Sequence, residues 1–311
     1  MITVLNEEPF RSIDRSVVSV GNFDGVHMGH QALVRALVER ARFHRAVPVV
    51  VTFEPHTRAV LNPQSPLRLL TTLPEKKILL AGLGVEVLVC MPFTKKYADM
   101  EPVQFVELIL EQRLGAVEWV MGENHLFGKE RKGSKNFLQE HQSRKHINVF
   151  AIALSSQKAA VVSSTQIRSC IIEGTMGEAV AMLGHPYLIV AERTEGTRRG
   201  TSLGFPTLNF KVPPSQKVIP PPGVYAAELS TGDTTWSGAL YFGNCPTFGN
   251  RDYHFEFHAL AGPENYPGVS QVAMLWIHEF VRADETFGTE HGLVEQVERD
   301  IVSIRRFFAK E

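Results

Sequence analysis

Cysteine is scarce in this chain: three in 311 residues, Cys90, Cys170 and Cys245, far apart and without a C-x-x-C pair. That excludes a disulfide framework or a zinc knuckle and fits a reducing compartment. No apolar run reaches about 18 residues, and the N-terminus lacks a basic-then-apolar signal pattern, so a cytoplasmic protein with no membrane partner is expected. Neither sign of charge dominates: 32 Lys and Arg against 33 Asp and Glu leave a formal charge of −1. A global basic field that would recruit nucleic acid is therefore missing. Internal repeats and low-complexity tracts are also absent. What remains is 44% hydrophobic and 21% charged, enough for a sizeable core, in a length that suits two domains.

The chain has two textures. In the first half, short β-branched runs, apolar almost throughout, occupy Ser16–Val20, Val47–Phe53, Val85–Met91, Val117–Met121 and Ile147–Ala153. Strands covered on both faces of a parallel sheet read this way. Between them Ala32–Ala46, Pro74–Leu83 and Val103–Leu114 repeat apolar residues at three and four, as helices do. Strand–helix alternation predicts a doubly wound α/β domain with its site at the carboxyl ends of the strands. Two short helices follow, Ser164–Ile172 and Met176–Leu183, each stopped by a glycine, Gly174 or Gly184. Beyond His185-Pro186, glycine and proline crowd Gly196–Gly223. Short β-type runs then occupy Val224–Leu229, Ser237–Phe242, His254–Leu260 and Val272–Ile277. That predicts a small antiparallel barrel or sandwich, closed by a helix over Leu293–Phe308. The boundary is placed at Gly184, giving domains 1–184 and 185–311.

Chemistry concentrates first in Ser19–Gln31, SVGNFDGVHMGHQ. A buried strand breaks into a glycine-punctuated turn, Gly21–Gly29, and a helix starts near His30. Backbone N–H groups, a helix N-terminus and two imidazoles share one small volume, which suits a nucleotide phosphate. His27 and His30 lie three apart and so share a face of the first helical turn, while Gly29 lets a ligand approach the backbone. Two donors there could stabilise charge that develops as a phosphoanhydride breaks. H-E-x-x-H is absent, which argues against zinc. Ser163-Ser164-Thr165-Gln166-Ile167-Arg168 forms a second element. Its hydroxyls suit helix N-caps, and Arg168 suits either a solvated face or a phosphate clamp. The stretch Gly122–Lys129 has one residue too many between its glycines for a Walker A loop, and Glu130 follows where Ser or Thr is required.

GNFDGVHMGHQ resembles the G-x-F-D-G-x-H-x-G-H signature of bacterial FAD synthetases. SSTQIR is similar to their S-S-T-x-I-R element, and Thr52-Phe53-Glu54-Pro55-His56 to their T-F-x-P-H strand end. Gly122–Gly128, GENHLFG, resembles their G-E-[DN]-F-x-F-G loop, with His125 in place of phenylalanine. The resemblance implies a nucleotidyltransferase that transfers AMP from ATP to FMN, making FAD and releasing pyrophosphate. By it, Gly21, Phe23, Gly29, Ser164, Thr165 and Arg168 bind ATP, His27 and His30 are catalytic, and His56, Asn124 and His125 lie at the flavin.

Leu203–Phe210, LGFPTLNF, is the second concentration. Thr207 and Asn209 are two apart and point to one side of an extended segment. Their hydroxyl and carboxamide oxygens suit Mg²⁺, although a Pro- and Asn-rich turn is an equal reading of the string alone. GFPTLN resembles the G-x-P-T-x-N motif of riboflavin kinases, the C-terminal domain of the same bacterial enzymes. Leu183–Tyr187, Pro222–Tyr225 and Asn244–Gly249 are similar to their L-G-x-P-Y, P-G-V-Y and N-x-P-T-F-G segments. The resemblance implies that Thr207 and Asn209 hold Mg²⁺–ATP and that Glu256 is the base for the 5′-hydroxyl of riboflavin. The family's G-x-V-x-x-G-x-x-x-G-R loop, whose glycines lie over the nucleotide, keeps Gly196 and Gly200 here but has Ala191, Arg193 and Thr201 at the other marked positions. Taken whole, the resemblance implies a two-activity transferase using small molecules only: riboflavin, FMN and ATP. The alternative is an FMN adenylyltransferase whose barrel has weak or lost kinase activity.

Overall fold

A computed structural model describes residues 1–5, 12–64, 67–141, 147–153, 162–196, 199–213, 216–232, 234–244, 253–261 and 269–310. Cys245–Gly249 of the last-named kinase segment lie outside the described residues. Packing divides the chain into two units, Met1–Leu67 with Lys76–Val162, and Arg68–Glu75 with Ser163–Glu311. The division follows packing, whereas the boundary at Gly184 follows the change of texture in the sequence. Two short helices and the segment 68–75 go with the second unit.

The first unit holds a parallel sheet. Its strands are β1 (Ile2–Leu5), β2 (Ser16–Val20), β3 (Val47–Glu54), β4 (Val87–Pro92), β5 (Ala116–Gly122) and β6 (Asn148–Ile152). They lie in the order β1-β4-β3-β2-β5-β6. All five residues of β2 are buried, as a strand covered on both faces requires. From β2 the chain winds outward through β3 and β4, then returns to place β5 on the other side. The winding therefore reverses between β2 and β5, and in such sheets ligands bind beyond the carboxyl ends of the strands at this point. Val18, Val20, Val49, Val51, Trp119 and Met121 belong to the core on this sheet.

Two elements differ from the sequence pattern. The edge strand β1 was not anticipated, because four residues without alternation carry no periodic signal; it pairs in parallel with β4 from Ile2↔Val87 to Leu5↔Cys90. The helix expected over Val103–Leu114 is α-helical only at Pro102–Gln104 and continues as a π-helix, Phe105–Glu111. Gln112 and Leu114 donate to Glu107 and Ile109, five residues back. The wider turn buries Phe105, Val106, Ile109 and Leu110 together.

The second unit is built on β7 (Tyr187–Thr194), β8 (Leu208–Lys211), β9 (Gly223–Thr231), β10 (Thr234–Gly243), β11 (His254–Ala259) and β12 (Val272–Ala283). They close into a barrel in the order β10-β11-β8-β7-β12-β9. Pairing of β9 with both β10 and β12 closes the sheet and decides for a barrel over a sandwich. The sequence reading missed β7 and β8. The four residues of β8 lie inside the glycine- and proline-rich stretch, and their partners are distant in sequence. The terminal helix Glu290–Phe308 packs Ile304 against Val224 and Ala226.

Segment 68–75 is fastened to the barrel by an ion pair with no exposed side-chain surface. Lys217 Nζ donates to Glu75 Oε2 at 2.8 Å, to the Leu70 carbonyl at 2.5 Å and to the Leu188 carbonyl at 2.9 Å. Glu75 in turn accepts from the backbone N–H of Thr72 at 2.7 Å and of Val190 at 3.0 Å. All three protons of the ammonium are used, which is the condition for burying such a pair.

Candidate functional site

In the first unit the chain leaves β2 at Gly21, whose N–H bonds Val51 at 3.0 Å. The loop then turns through three left-handed residues, Phe23 (φ 48°), Gly25 (φ 85°) and Val26 (φ 42°). Such a conformation costs a non-glycine residue on the order of 1–3 kcal/mol. It is held here because Phe23 and Val26 are each 1% exposed and the Val26 carbonyl accepts from Gln31 Nε2 at 3.1 Å. The strained loop delivers His27 to the N-cap of the helix Met28–His44, with no side-chain cap bond and no acidic residue in the first turn. An anion meets the positive end of the helix dipole there without competition from a resident carboxylate in that turn.

The two imidazoles do share one face. Their ring centroids are 3.8 Å apart at 19°, and Phe23 flanks His30 at 5.2 Å. Gly29 leaves the ring room: a Cβ there would lie 3.3 Å from His27 Cε1 and 3.4 Å from Nδ1. His30 Nδ1 is enclosed and has no hydrogen-bond partner among the described residues. Burial first, then the neighbouring His27 and Lys76, hold the His30 imidazole well below its usual pKa. A neutral ring donates one N–H to a phosphate oxygen, and a polyphosphate's negative charge draws a proton onto it.

Sequence reasoning missed Lys76 and Asp24. Lys76 is 4% exposed and Asp24 2% exposed. Lys76 Nζ donates to Thr52 Oγ1 at 3.2 Å, and Thr52 Oγ1 donates to the Asn22 carbonyl at 3.2 Å. Burial lowers the Lys76 pKa, opposed by Asp24, Glu54 and Cys90. The signal was present: in the helix Leu73–Gly82, Lys76 shares the buried stripe with Leu80, where a charge needs a reason.

On the other side of the switch point, the loop after β5 carries Asn124, which is exposed, and His125, which is half-buried. His125 N–H closes a turn onto Gly122 at 3.0 Å. Its ring lies edge-on to Trp119 at 6.1 Å and parallel to Phe127 at 6.4 Å. Burial, then Arg131, push the His125 pKa down to about 4, so the ring is a neutral aromatic surface at neutral pH. His56 caps the helix Thr57–Leu61, its Nδ1 accepting from Arg58 N–H at 3.1 Å.

Ser164, Thr165 and Arg168 belong to the second unit. The cap of their helix is Ser163, which accepts from Gln166 N–H, and Ser164 is the first helical residue. Arg168 Nε donates to the Arg68 carbonyl at 2.8 Å.

In the barrel, alternation separates packing from chemistry. Phe255 and Phe257 of β11 are fully buried and Ala259 is 6% exposed, so His254, Glu256 and His258 take the outward face. Asn209 of β8 and Tyr241 of β10 lie directly opposite Glu256. Thr207 Oγ1, just before β8, is 3.5 Å from Glu256 Oε2. The expected trio is therefore one cluster. The two glycines press on it: a Cβ at Gly196 would fall 2.1 Å from Asn209 Nδ2, and one at Gly200 would fall 2.4 Å from the Phe205 carbonyl and 3.1 Å from Thr207 Oγ1. Ala191 sits in the barrel wall, 3% exposed and paired with Ala273. The backbone of Arg193 pairs with Gln271, and Thr201 lies in the short helix Arg199–Ser202. Among the described residues no group of three or more His, Cys, Asp or Glu is arranged to hold a metal. The hydroxyl, carboxamide and carboxylate oxygens of the Thr207–Asn209–Glu256 cluster suit a hard, largely hydrated cation instead.

The chain matches two family models, FAD synthetase over residues 10–166 and riboflavin kinase over 183–308. A bifunctional riboflavin kinase/FMN adenylyltransferase of Listeria monocytogenes is 32% identical, covering 94% of this chain and 93% of the relative. One from Escherichia coli K12 is 30% identical, covering 94% and 92%. A crystal structure described as a macrolide-efflux protein from Streptococcus pneumoniae superposes with a TM-score of 0.81 at 25% identity, over 98% of this chain and 99% of that one. No helix among the described residues here is long and apolar enough to cross a membrane. Two family models in tandem and relatives matching along nearly the whole length lead to one assignment: the chain belongs to the bifunctional riboflavin kinase/FMN adenylyltransferase family.

Proposed function

We propose that the barrel unit phosphorylates riboflavin to FMN and that the parallel-sheet unit carries the histidines that transfer AMP from ATP to FMN, giving FAD and pyrophosphate. The observation that carries the kinase half is the convergence of Thr207, Asn209 and Glu256 on one outward face of the barrel. Glu256 takes the proton of the riboflavin 5′-hydroxyl as that oxygen attacks the γ-phosphate, and ADP leaves. Thr207 and Asn209 would hold Mg²⁺, which neutralises phosphate charge when bound. The glycines at 196 and 200 leave room for the backbone to lie over the nucleotide.

For adenylyl transfer, His27 and His30 at the helix N-terminus receive the phosphates of ATP, together with the backbone of Gly21, Phe23 and Gly29. They stabilise negative charge as the α–β anhydride opens and FMN attacks the α-phosphorus. Ser164, Thr165 and Arg168 act on ATP, and His56, Asn124 and the neutral His125 ring on the flavin. The compartment is the cytoplasm.

The test is direct. Pure protein given ATP and Mg²⁺ with riboflavin yields FMN and FAD by chromatography, and with FMN yields FAD. His30→Ala lowers FAD formation roughly 10²- to 10³-fold and leaves FMN formation. Glu256→Gln lowers FMN formation by roughly 10²-fold or more and leaves FAD formation from FMN. Formation of FAD from FMN alone supports the single-activity alternative, and formation of neither flavin rejects both.

A further inference from the structure

Resting on the kinase reading of Glu256, we infer that His254 is a positioning residue for that carboxylate. A general base needs one oxygen aimed at the proton it takes, and a glutamate on an open sheet face has three rotors to fix first. His254 and Glu256 are two apart on β11 and so share the outward face. His254 Nε2 lies 2.8 Å from Glu256 Oε1. An ionised carboxylate only accepts, so Nε2 carries the proton and donates. With Oε1 held in this way, Oε2 is the oxygen turned toward Thr207, 3.5 Å from its hydroxyl.

The neighbourhood explains why the ring leans along its own strand. Opposite His254 on β10 is Gly243, which has no side chain to oppose it. Opposite it on β8 is Lys211, whose ammonium pairs with Glu192 at 3.3 Å. Tyr241, the cross-strand neighbour of Glu256, gives its hydroxyl proton to Asp284 at 3.1 Å. His258, next along the face, bonds the Pro206 carbonyl through Nδ1 at 2.9 Å. Lys211, Tyr241 and His258 each have another engagement, and His254 donates to Oε1. The pair is not a loose surface contact: the two side chains are 16% and 24% exposed. When Glu256 Oε2 takes the substrate proton, the His254 N–H stays on Oε1 and no proton moves along the pair.

The experiment measures riboflavin phosphorylation by the full chain carrying His254→Ala, His254→Gln, Glu256→Gln or His254→Ala with Glu256→Gln. His254→Ala is expected to lower kcat roughly tenfold while KM for riboflavin stays within about twofold. His254→Gln, which keeps an N–H donor, recovers most of the loss. Added to Glu256→Gln, His254→Ala has no further effect, because it acts through that carboxylate. The inference is overturned if kcat of His254→Ala stays within about twofold of the parent, if Ala and Gln are equally impaired, or if the two losses multiply. These outcomes are read against a parent that makes FMN. A parent that makes none overturns the kinase reading itself.

Discussion

Replacing Lys217 by methionine tests how segment 68–75 is held. Methionine keeps the length of the lysine stem, and its sulfur can still pack on Tyr187, whose ring lies 4.2 Å from Lys217 Nζ. What disappears is the charge and three donated hydrogen bonds, to Glu75, Leu70 and Leu188. Glu75 is left as a fully buried carboxylate with two backbone N–H donors, and two carbonyls each lose one donor. Breaking a buried pair on one side costs about 3–5 kcal/mol. At about 1.4 kcal/mol per tenfold, amides of β7 and β9 that exchange through global opening of the barrel should exchange roughly 10²- to 10³-fold faster or more. Hydrogen exchange read by mass spectrometry on peptides of those strands isolates this unit from the other. Adding Glu75→Gln removes the stranded charge while keeping an acceptor for one backbone N–H, so the double variant should exchange more slowly than Lys217→Met alone. A Lys217→Met cost under about 1 kcal/mol would refute the reasoning, and so would a double variant as costly as the two single changes added.

Two further outcomes are expected. Gly29→Ala places a methyl 3.3 Å from His27 Cε1, tight enough to tilt the stacked ring but not to unfold the loop; FAD formation should fall roughly tenfold or more with the melting temperature within a few degrees, by flavin chromatography and calorimetry. His125 has a folded pKa of about 4 against an ordinary 6.5, so the unfolded chain binds its proton first on acidification. Its stabilising contribution is complete above pH 6.5, falls between pH 6.5 and 4, and changes no further below. His125→Phe should flatten that limb of a stability–pH curve, and an unchanged limb would show that the ring is not held neutral.

Legibility in the sequence followed the range of the interactions. The HMGH turn is a local cluster whose placement at a strand end follows from neighbours in the chain, and GFPTLN is legible as a motif although the strand it runs into is not. In His254–Ala259 the alternation along the strand places Glu256 and its flanking histidines away from Phe255 and Phe257. Strands β1 and β8, four residues each, gain their identity from partners far away, and local pattern is silent there. The same holds for Lys217, which meets Glu75 across 142 residues of chain. Lys76, a charge on the buried stripe of a helix, and His254, two residues from Glu256 on a strand, stand in the sequence only as oddities.

Strand β11 places every aromatic on the inside and every ionisable group on the outside, one residue out of phase. For protein engineering this makes specificity and foldability separate design variables. Outward positions can be varied around a retained Glu256 without touching the hydrophobic filling, and the two phenylalanines can be repacked from the opposite face. The same phase makes length the one change the strand does not tolerate. A single inserted residue exchanges the two sets, sending Glu256 into the apolar centre and two phenylalanines into water.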